Sequence, residues 1–212
     1  MQLGVFSALL LLVAGGCSAQ RPQPCRTPPL LQGKVTVSSQ KLEFDMIGKY
    51  VYDAIGQRIR IGEIGHEKNQ TFNQDFLLLF KEGVIFVIDE AKQTCEKQKL
   101  TGSFQPMQIP SDAKFWAQVV LGSLAGPGQG LLANSWIGEI PEDKAKYILS
   151  YTEFGCLPIS SLYKAPQTDW ILTTFFDIVL GIEDPGKLMV PDFCLDAAVE
   201  TEKEGDFFSV FF

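Results

Sequence analysis

The sequence is poor in histidine, since His66 is its only one in 212 residues. A single imidazole excludes metal sites and acid–base dyads that need two histidines. His66 lies in Gly65-His66-Glu67-Lys68, and the chain has no nucleophile-elbow motif that could use it. We therefore expect an exposed histidine without a catalytic role.

Positive charge is also scarce. The 18 basic side chains are outnumbered by 25 acidic ones, which gives a net charge of −7 and excludes a nucleic-acid partner bound through net positive charge. Hydrophobic residues make up 46% of the chain and charged residues 20%. This composition is typical of a folded globular protein and not of a disordered one.

Motifs for catalysis are absent. The glycine-rich stretch 126–130 lacks the lysine of a phosphate-binding loop, and the carboxylate pairs at 89–90, 142–143 and 183–184 fall at predicted turns. Two carboxylates from distant strands could still form a glycosidase site. We predict that the protein is not an enzyme, with no catalytic residue and no required cofactor. Calcium binding by carboxylates at turns is an alternative that the sequence leaves open, and it does not assign the calcium ligands.

The sequence has one long apolar run, Leu3 to Gly16, followed by Cys17-Ser18-Ala19. About 14 residues are too few for a bilayer span, and small residues precede the cleavage site of secretory signals. We predict a signal peptide at 1–19 and one domain at 20–212. A lipoprotein signal with a lipidated Cys17 is the alternative, although that signal needs a basic start that is missing here.

Cleavage would leave Cys25, Cys95, Cys156 and Cys194, an even number in an oxidising compartment. Two disulfides are the expected result, and the spacing alone allows three pairings. A zinc site is disfavoured because no two of these cysteines are close in sequence. Asn69-Gln70-Thr71 is a sequon in a polar stretch and predicts a glycan on Asn69.

Alternation with a period of two dominates the rest of the chain and predicts an all-β fold of about ten strands, arranged as a curved sandwich or open barrel. Ile59 and Ile61 alternate with Arg58 and Arg60. Hairpins are predicted at 49–62 and 75–89, the second apolar on both sides. Further strands are predicted at 135–140, 147–154 and 170–182.

One or two short helices are expected in addition. The segment 111–124 places Phe115, Trp116, Val119 and Val120 at helical spacing and ends in the glycine-rich stretch. At the other end, six residues with four phenylalanines, 207–212, follow an acidic stretch. They predict a last strand or a plug against the core, with a dimer contact or a lipid-facing patch as alternatives.

Four ordered blocks carry a resemblance to a known family. They are Tyr52 to Arg60, Cys95 with Leu100 and Phe104-Gln105-Pro106, Thr152 to Pro158, and Gly181 to Pro185 leading to Pro191-Asp192-Phe193-Cys194. Together they resemble the ependymin family over essentially the whole mature chain.

The resemblance implies a secreted or lysosomal glycoprotein with two stacked antiparallel sheets around an apolar cavity that binds lipids or other hydrophobic molecules. It further implies a homodimer, calcium binding, and disulfides joining Cys25 to Cys156 and Cys95 to Cys194. Burial of an alkyl chain contributes about 0.8 kcal/mol per CH₂, so such a pocket needs no polar motif.

The candidate pocket combines apolar residues of the two predicted hairpins with a lid from the predicted helix, and ordinary core packing is the alternative for each residue. These residues are Ile59, Ile61, Leu77, Leu79, Val84, Phe86 and Ile88, with Phe115, Trp116 and Val120 as the lid. The leading hypothesis is a lipid carrier, with gangliosides among its candidate ligands and transient contact with a membrane surface. A calcium-binding adhesion or matrix glycoprotein is the alternative.

Overall fold

The structure, a computed structural model, describes residues 21–68, 70–141 and 144–204, and for residues 200–204 the backbone alone. The predicted signal peptide 1–19 with Cys17, the sequon residue Asn69 and the tail 207–212 lie outside the described residues. No helix in the described part of the chain is long and apolar enough to cross a membrane.

Strands dominate the described chain. They are β1 Leu30–Ser39, β2 Phe44–Asp53, β3 Arg58–Glu67, β4 Gln70–Leu79, β5 Val84–Asp89, β6 Thr94–Lys99, β7 Lys114–Gly122, β8 Gly130–Ile140, β9 Ala145–Thr152, β10 Pro158–Ala165, β11 Asp169–Leu180 and β12 Val199–Glu204. Two 3-10 helices, Pro185–Leu188 and Asp192–Cys194, precede β12.

The strands form one sheet in the order β12-β6-β5-β4-β3-β2-β1-β11-β10-β9-β8-β7. Strands β1 to β11 pair antiparallel, and β12 pairs parallel to β6 at one edge. The all-β class and the curved sandwich or open barrel are confirmed. The backbone pairing is continuous, however, so the two expected layers belong to a single sheet that is not closed.

The two predicted hairpins are present as β2–β3 and β4–β5. In the first, the Asp53 carboxylate accepts a hydrogen bond from the Gly56 amide at 2.7 Å and pairs with Arg58 at 2.7 Å. An aspartate that hydrogen-bonds the backbone of its own turn is a common turn device, so the local sequence determines this reversal.

The predicted helix at 111–124 is wrong, because Lys114–Gly122 is strand β7, paired with β8. The pairing register shifts between Phe115 and Ala117, as in a β-bulge. A bulge adds a residue to one strand and interrupts the alternation. The apolar residues on either side therefore acquire a spacing that imitates a helix.

Both faces of the sheet are buried on strands β3 to β5. On the inner face, Ile59, Ile61, Phe76 and Leu78 belong to the main core, whereas Leu77, Leu79, Phe86 and Ile88 form a second cluster on the outer face. The chain after β11 covers this outer cluster with Leu188 and Cys194. Double coverage explains why these strands are apolar on both sides.

The sheet curls over its inner face. The side chains of Tyr50 on β2 and Tyr151 on β9 interact electrostatically, and so do those of Tyr151 and Tyr52. Three strands separate β2 from β9 in the sheet order. In a flat sheet these strands would lie about 19 Å apart. The curl therefore brings inner-face residues of the two halves towards each other.

Candidate functional site

Six inner-face side chains form a row across strands β8 to β2, here called the inner row. Backbone pairing aligns them in the order Trp136, Leu149, Ser161, Thr173, Val37 and Met46. Trp136, Thr173, Val37 and Met46 are buried, whereas Leu149 and Ser161 are only half-buried. Tyr163, the next inner-face residue of β10, is also half-buried. The inner face is therefore partly accessible at Leu149 on β9 and at Ser161 and Tyr163 on β10, whereas Tyr147 and Tyr151 of β9 are buried.

Three polar atoms lie buried on this face without a hydrogen-bond partner among the described residues. Two are in the inner row, the Trp136 indole Nε1 and the Thr173 hydroxyl Oγ1, and the third is Oε2 of Glu63 on β3. Leaving a buried polar group unpaired costs about 1–3 kcal/mol. A largely apolar surface that carries a few such groups has the character of a small-molecule site.

Burial also changes the acidity of groups on this face. Desolvation raises the pKa of the Glu63 carboxyl to about 7, because the charged form loses its hydration. The same effect raises the pKa of the Tyr50 and Tyr151 hydroxyls well above the usual range. The tyrosines are thus neutral at physiological pH, and Glu63 exists in both protonation states.

Two segments outside the strands cover part of the inner face. The N-terminal arm and the chain before β7 pair through Thr27 N–H to Met107 C=O at 3.1 Å and Ile109 N–H to Cys25 C=O at 2.9 Å. The Met107 amide also donates to the Tyr52 hydroxyl at 3.0 Å. These contacts fix the cover to β2.

Both disulfides implied by the family resemblance are present, Cys25–Cys156 and Cys95–Cys194, with Cα–Cα distances of 6.0 and 5.3 Å. The first ties the N-terminal arm to the turn between β9 and β10. The second ties the segment after β11 to β6. Each bond therefore attaches a covering segment to the sheet.

The candidate pocket residues are not brought together. Ile59 and Ile61 lie on the inner face. Five others pack in or against the outer cluster, namely Leu77, Leu79, Val84, Phe86 and Ile88. The expected lid residues Phe115, Trp116 and Val120 lie on strand β7, where they are exposed or partly exposed. Alternate residues of a strand point to opposite faces. Leu77 and Leu79 of β4 therefore lie on the face opposite to Ile59 and Ile61 and cannot line one pocket with them.

The inner-row polar residues and Glu63 were not among the sequence candidates. One signal could have found Glu63. In the alternating strand β3, Glu63 follows Ile59 and Ile61 at every second position, so its carboxyl falls on the face that carries the apolar residues. No comparable signal marks Ser161 or Thr173, because their neighbours on the face belong to strands far away in the sequence.

Groups that could bind a metal ion do not converge in the described structure. His66 is exposed near the end of β3, with Nδ1 3.5 Å from the exposed Asp45 carboxylate. Within residues 21–68, 70–141 and 144–204, no three His, Cys, Asp or Glu side chains are placed to hold a metal ion. The calcium ligands stay unassigned.

Known proteins resemble this chain in sequence and in fold. A family model described as Ependymin matches residues 68–194. The chain is 33% identical over 208 residues to Ependymin-2 from Carassius auratus, covering 98% of this chain and 95% of the relative. It is 30% identical over 190 residues to Mammalian ependymin-related protein 1 from Mus musculus, covering 87% and 82%.

Among solved structures, an uncharacterized conserved protein from Thermus thermophilus superposes with a TM-score of 0.51. The match covers 85% of this chain and 91% of that protein at 10% sequence identity. At this identity the likeness shows the fold alone.

Proposed function

The chain belongs to the ependymin family, and from this premise we propose that it is a secreted, non-enzymatic glycoprotein that binds a lipid or another hydrophobic molecule against its inner face. The ligand would lie along β9 and β10, between Leu149, Ser161 and Tyr163 and the opposite half of the curled sheet.

One observation carries the proposal. The inner row is apolar and buried at Val37 and Met46 and half-buried at Leu149 and Ser161. The unpaired polar atoms of Trp136 and Thr173 lie on either side of these two half-buried residues. An alkyl chain would gain about 0.8 kcal/mol for each CH₂ removed from water there. Polar groups of the ligand would pair with the indole or the hydroxyl. Both features support an amphiphilic ligand.

Native mass spectrometry of the full-length secreted protein, followed by lipid extraction, tests the proposal. We expect stoichiometric lipid in the purified protein or after incubation with phospholipid and ganglioside vesicles. A protein that stays lipid-free under both conditions would contradict it.

A matched pair of substitutions localises the ligand. Ser161→Phe adds a ring on the inner face, whereas Ser160→Phe adds the same ring on the outer face of the same strand. We expect Ser161→Phe to lower the bound lipid at least tenfold and Ser160→Phe to leave it unchanged. Equal lipid in both variants would place the ligand elsewhere.

Several finer properties are proposed along with this function. They are glycosylation at Asn69, a homodimer, transient contact with membranes, delivery to the lysosomal lumen, and calcium binding. The same native spectra report glycan mass and oligomeric state. A calcium titration followed by the same spectra separates the carrier from a calcium-dependent adhesion protein, because only the latter would associate further upon calcium addition.

A further inference from the structure

We propose that the Glu63 carboxyl is the polar anchor of the binding site, where it accepts a hydrogen bond from a hydroxyl or protonated amine at the polar end of an amphiphile. This inference rests on the proposed function and adds the class of ligand.

Glu63 lies on the inner face of β3, two residues beyond Ile61, with Gly48 opposite on β2 and Gln74 opposite on β4. A Cβ on Gly48 would lie 2.8 Å from the Gly62 carbonyl oxygen and 3.2 Å from the Glu63 Cβ. The glycine therefore lets β2 approach the backbone and the Cβ of Glu63 closely at this point of the sheet.

The carboxyl lies just inside the rim of the inner face. Glu63 is 3% exposed, while Gln74, its partner on the neighbouring strand, is exposed to solvent. Adjacent strands are separated by about 4.8 Å, so the buried Glu63 lies about one strand spacing from the exposed Gln74. An amphiphile whose polar end lay at this depth would extend its alkyl chain past Ile61 towards β9 and β10 in the opposite half of the curled sheet.

Aromatic packing closes the other side. A Cβ on Gly65 would lie 2.7 Å from the Phe72 ring, so the ring packs directly on β3 beside Glu63. Phe72 stacks on Phe44 with ring centroids 5.6 Å apart. The carboxyl is thus bordered by hydrocarbon, and its Oε2 has no hydrogen-bond partner within the described residues.

The chemistry of this oxygen selects a donor. A carboxyl oxygen accepts hydrogen bonds in either protonation state, and an ionised carboxylate adds attraction for a cation. A hydroxyl or an ammonium group on the ligand would satisfy Oε2 of the ionised carboxylate, whereas an ether or ester of the same length would leave it unpaired. The protonated carboxyl could instead donate its O–H to an ether or ester oxygen, so the discrimination belongs to the ionised form. The anchor would thereby discriminate between ligands of equal hydrophobicity.

A fluorescence competition assay on the full-length protein tests the anchor. N-phenyl-1-naphthylamine serves as the apolar probe, and decanol, decylamine and decyl methyl ether are the competitors. At pH 8.5, above the pKa of about 7 of the Glu63 carboxyl, we expect decanol or decylamine to displace the probe from the wild type at about fivefold to tenfold lower concentration than the ether, as one hydrogen bond to a buried acceptor predicts.

Variants assign the effect to the carboxyl. Glu63→Met should bind the probe but lose the preference for the donor competitors, while Glu67→Gln, an exposed site on the same strand, should keep it. Glu63→Gln separates the two donors, because an amide oxygen still accepts from decanol but cannot pair ionically with decylamine.

The results distinguish the two levels of the proposal. Probe binding without any donor preference in the wild type, or a preference that survives in Glu63→Met, overturns the anchor and leaves the carrier function intact. A wild-type protein that does not bind the probe overturns both.

Discussion

At the scale of single residues, alternation is a strong guide to which side chains share a face. The sequence correctly separated Ile59 and Ile61 from Arg58 and Arg60, and the two arginines form ion pairs on the outer face with Asp53 and Asp75. It did not separate the residues of β4 and β5, because both of their faces are apolar and periodicity then carries no information.

Glu63 gives a prediction at this scale. Its pKa is about 7 in the folded protein, against an ordinary value of 4.5. The unfolded chain therefore loses this proton first as the pH rises, and folding stability falls between about pH 4.5 and pH 7, by about 3 kcal/mol in total. Its cross-strand neighbours, Gly48 and Gln74, do not titrate in this range.

Urea denaturation of the wild type and Glu63→Gln at pH 4.5, 6 and 7.5 measures this effect. The variant should become progressively more stable than the wild type across the series, because it has no carboxyl to ionise. A constant difference in unfolding free energy would contradict a buried carboxyl at this position.

At the scale of elements, the segment after β11 acts as a clamp on the outer face. Leu188 is inserted into the outer cluster, and Arg60 donates a hydrogen bond to the Lys187 carbonyl at 3.1 Å while also pairing with Asp75 and Glu90. Sequence patterns predicted a turn here, at the carboxylate pair 183–184. They could not predict which strands the turn would cover, because that depends on the sheet order.

Neighbouring residues test the clamp. Leu188 is 2% exposed and Met189 is 65% exposed. We expect Leu188→Ala to destabilise the protein by about 2–4 kcal/mol through the cavity it leaves, and Met189→Ala by less than about 0.5 kcal/mol. Thermal or urea unfolding measures both, and similar values for the two variants would contradict the role of Leu188.

At the scale of the whole molecule, the fold class, the hairpins and the disulfide pairing were predictable, the last only through the family resemblance. The face proposed to bind the ligand was not. Its inner row joins residues from six strands, from Val37 to Thr173, and the sheet order that aligns them is a long-range property that no local pattern encodes.

The disulfides give a prediction at this scale. They join cysteines 131 and 99 residues apart, so each restricts the unfolded chain strongly. Replacing either pair by serine should lower the free energy of unfolding by about 3–5 kcal/mol. Non-reducing urea titrations of the two double variants check this, and a loss below about 1 kcal/mol would mean that the unfolded chain is already constrained.

The pairing of β1 with β11 has a consequence for the order of folding. Leu30–Ser39 is synthesised early but pairs on one side with Asp169–Leu180, near the end of the chain. Until β11 arrives, that edge of β1 carries unpaired hydrogen-bonding groups, which can bind chaperones or other chains. Pulse-labelled hydrogen exchange should therefore show the β1–β11 amides gaining protection after those of the β2–β3 hairpin, so that the later step joins two strands distant in the sequence and shapes the inner face.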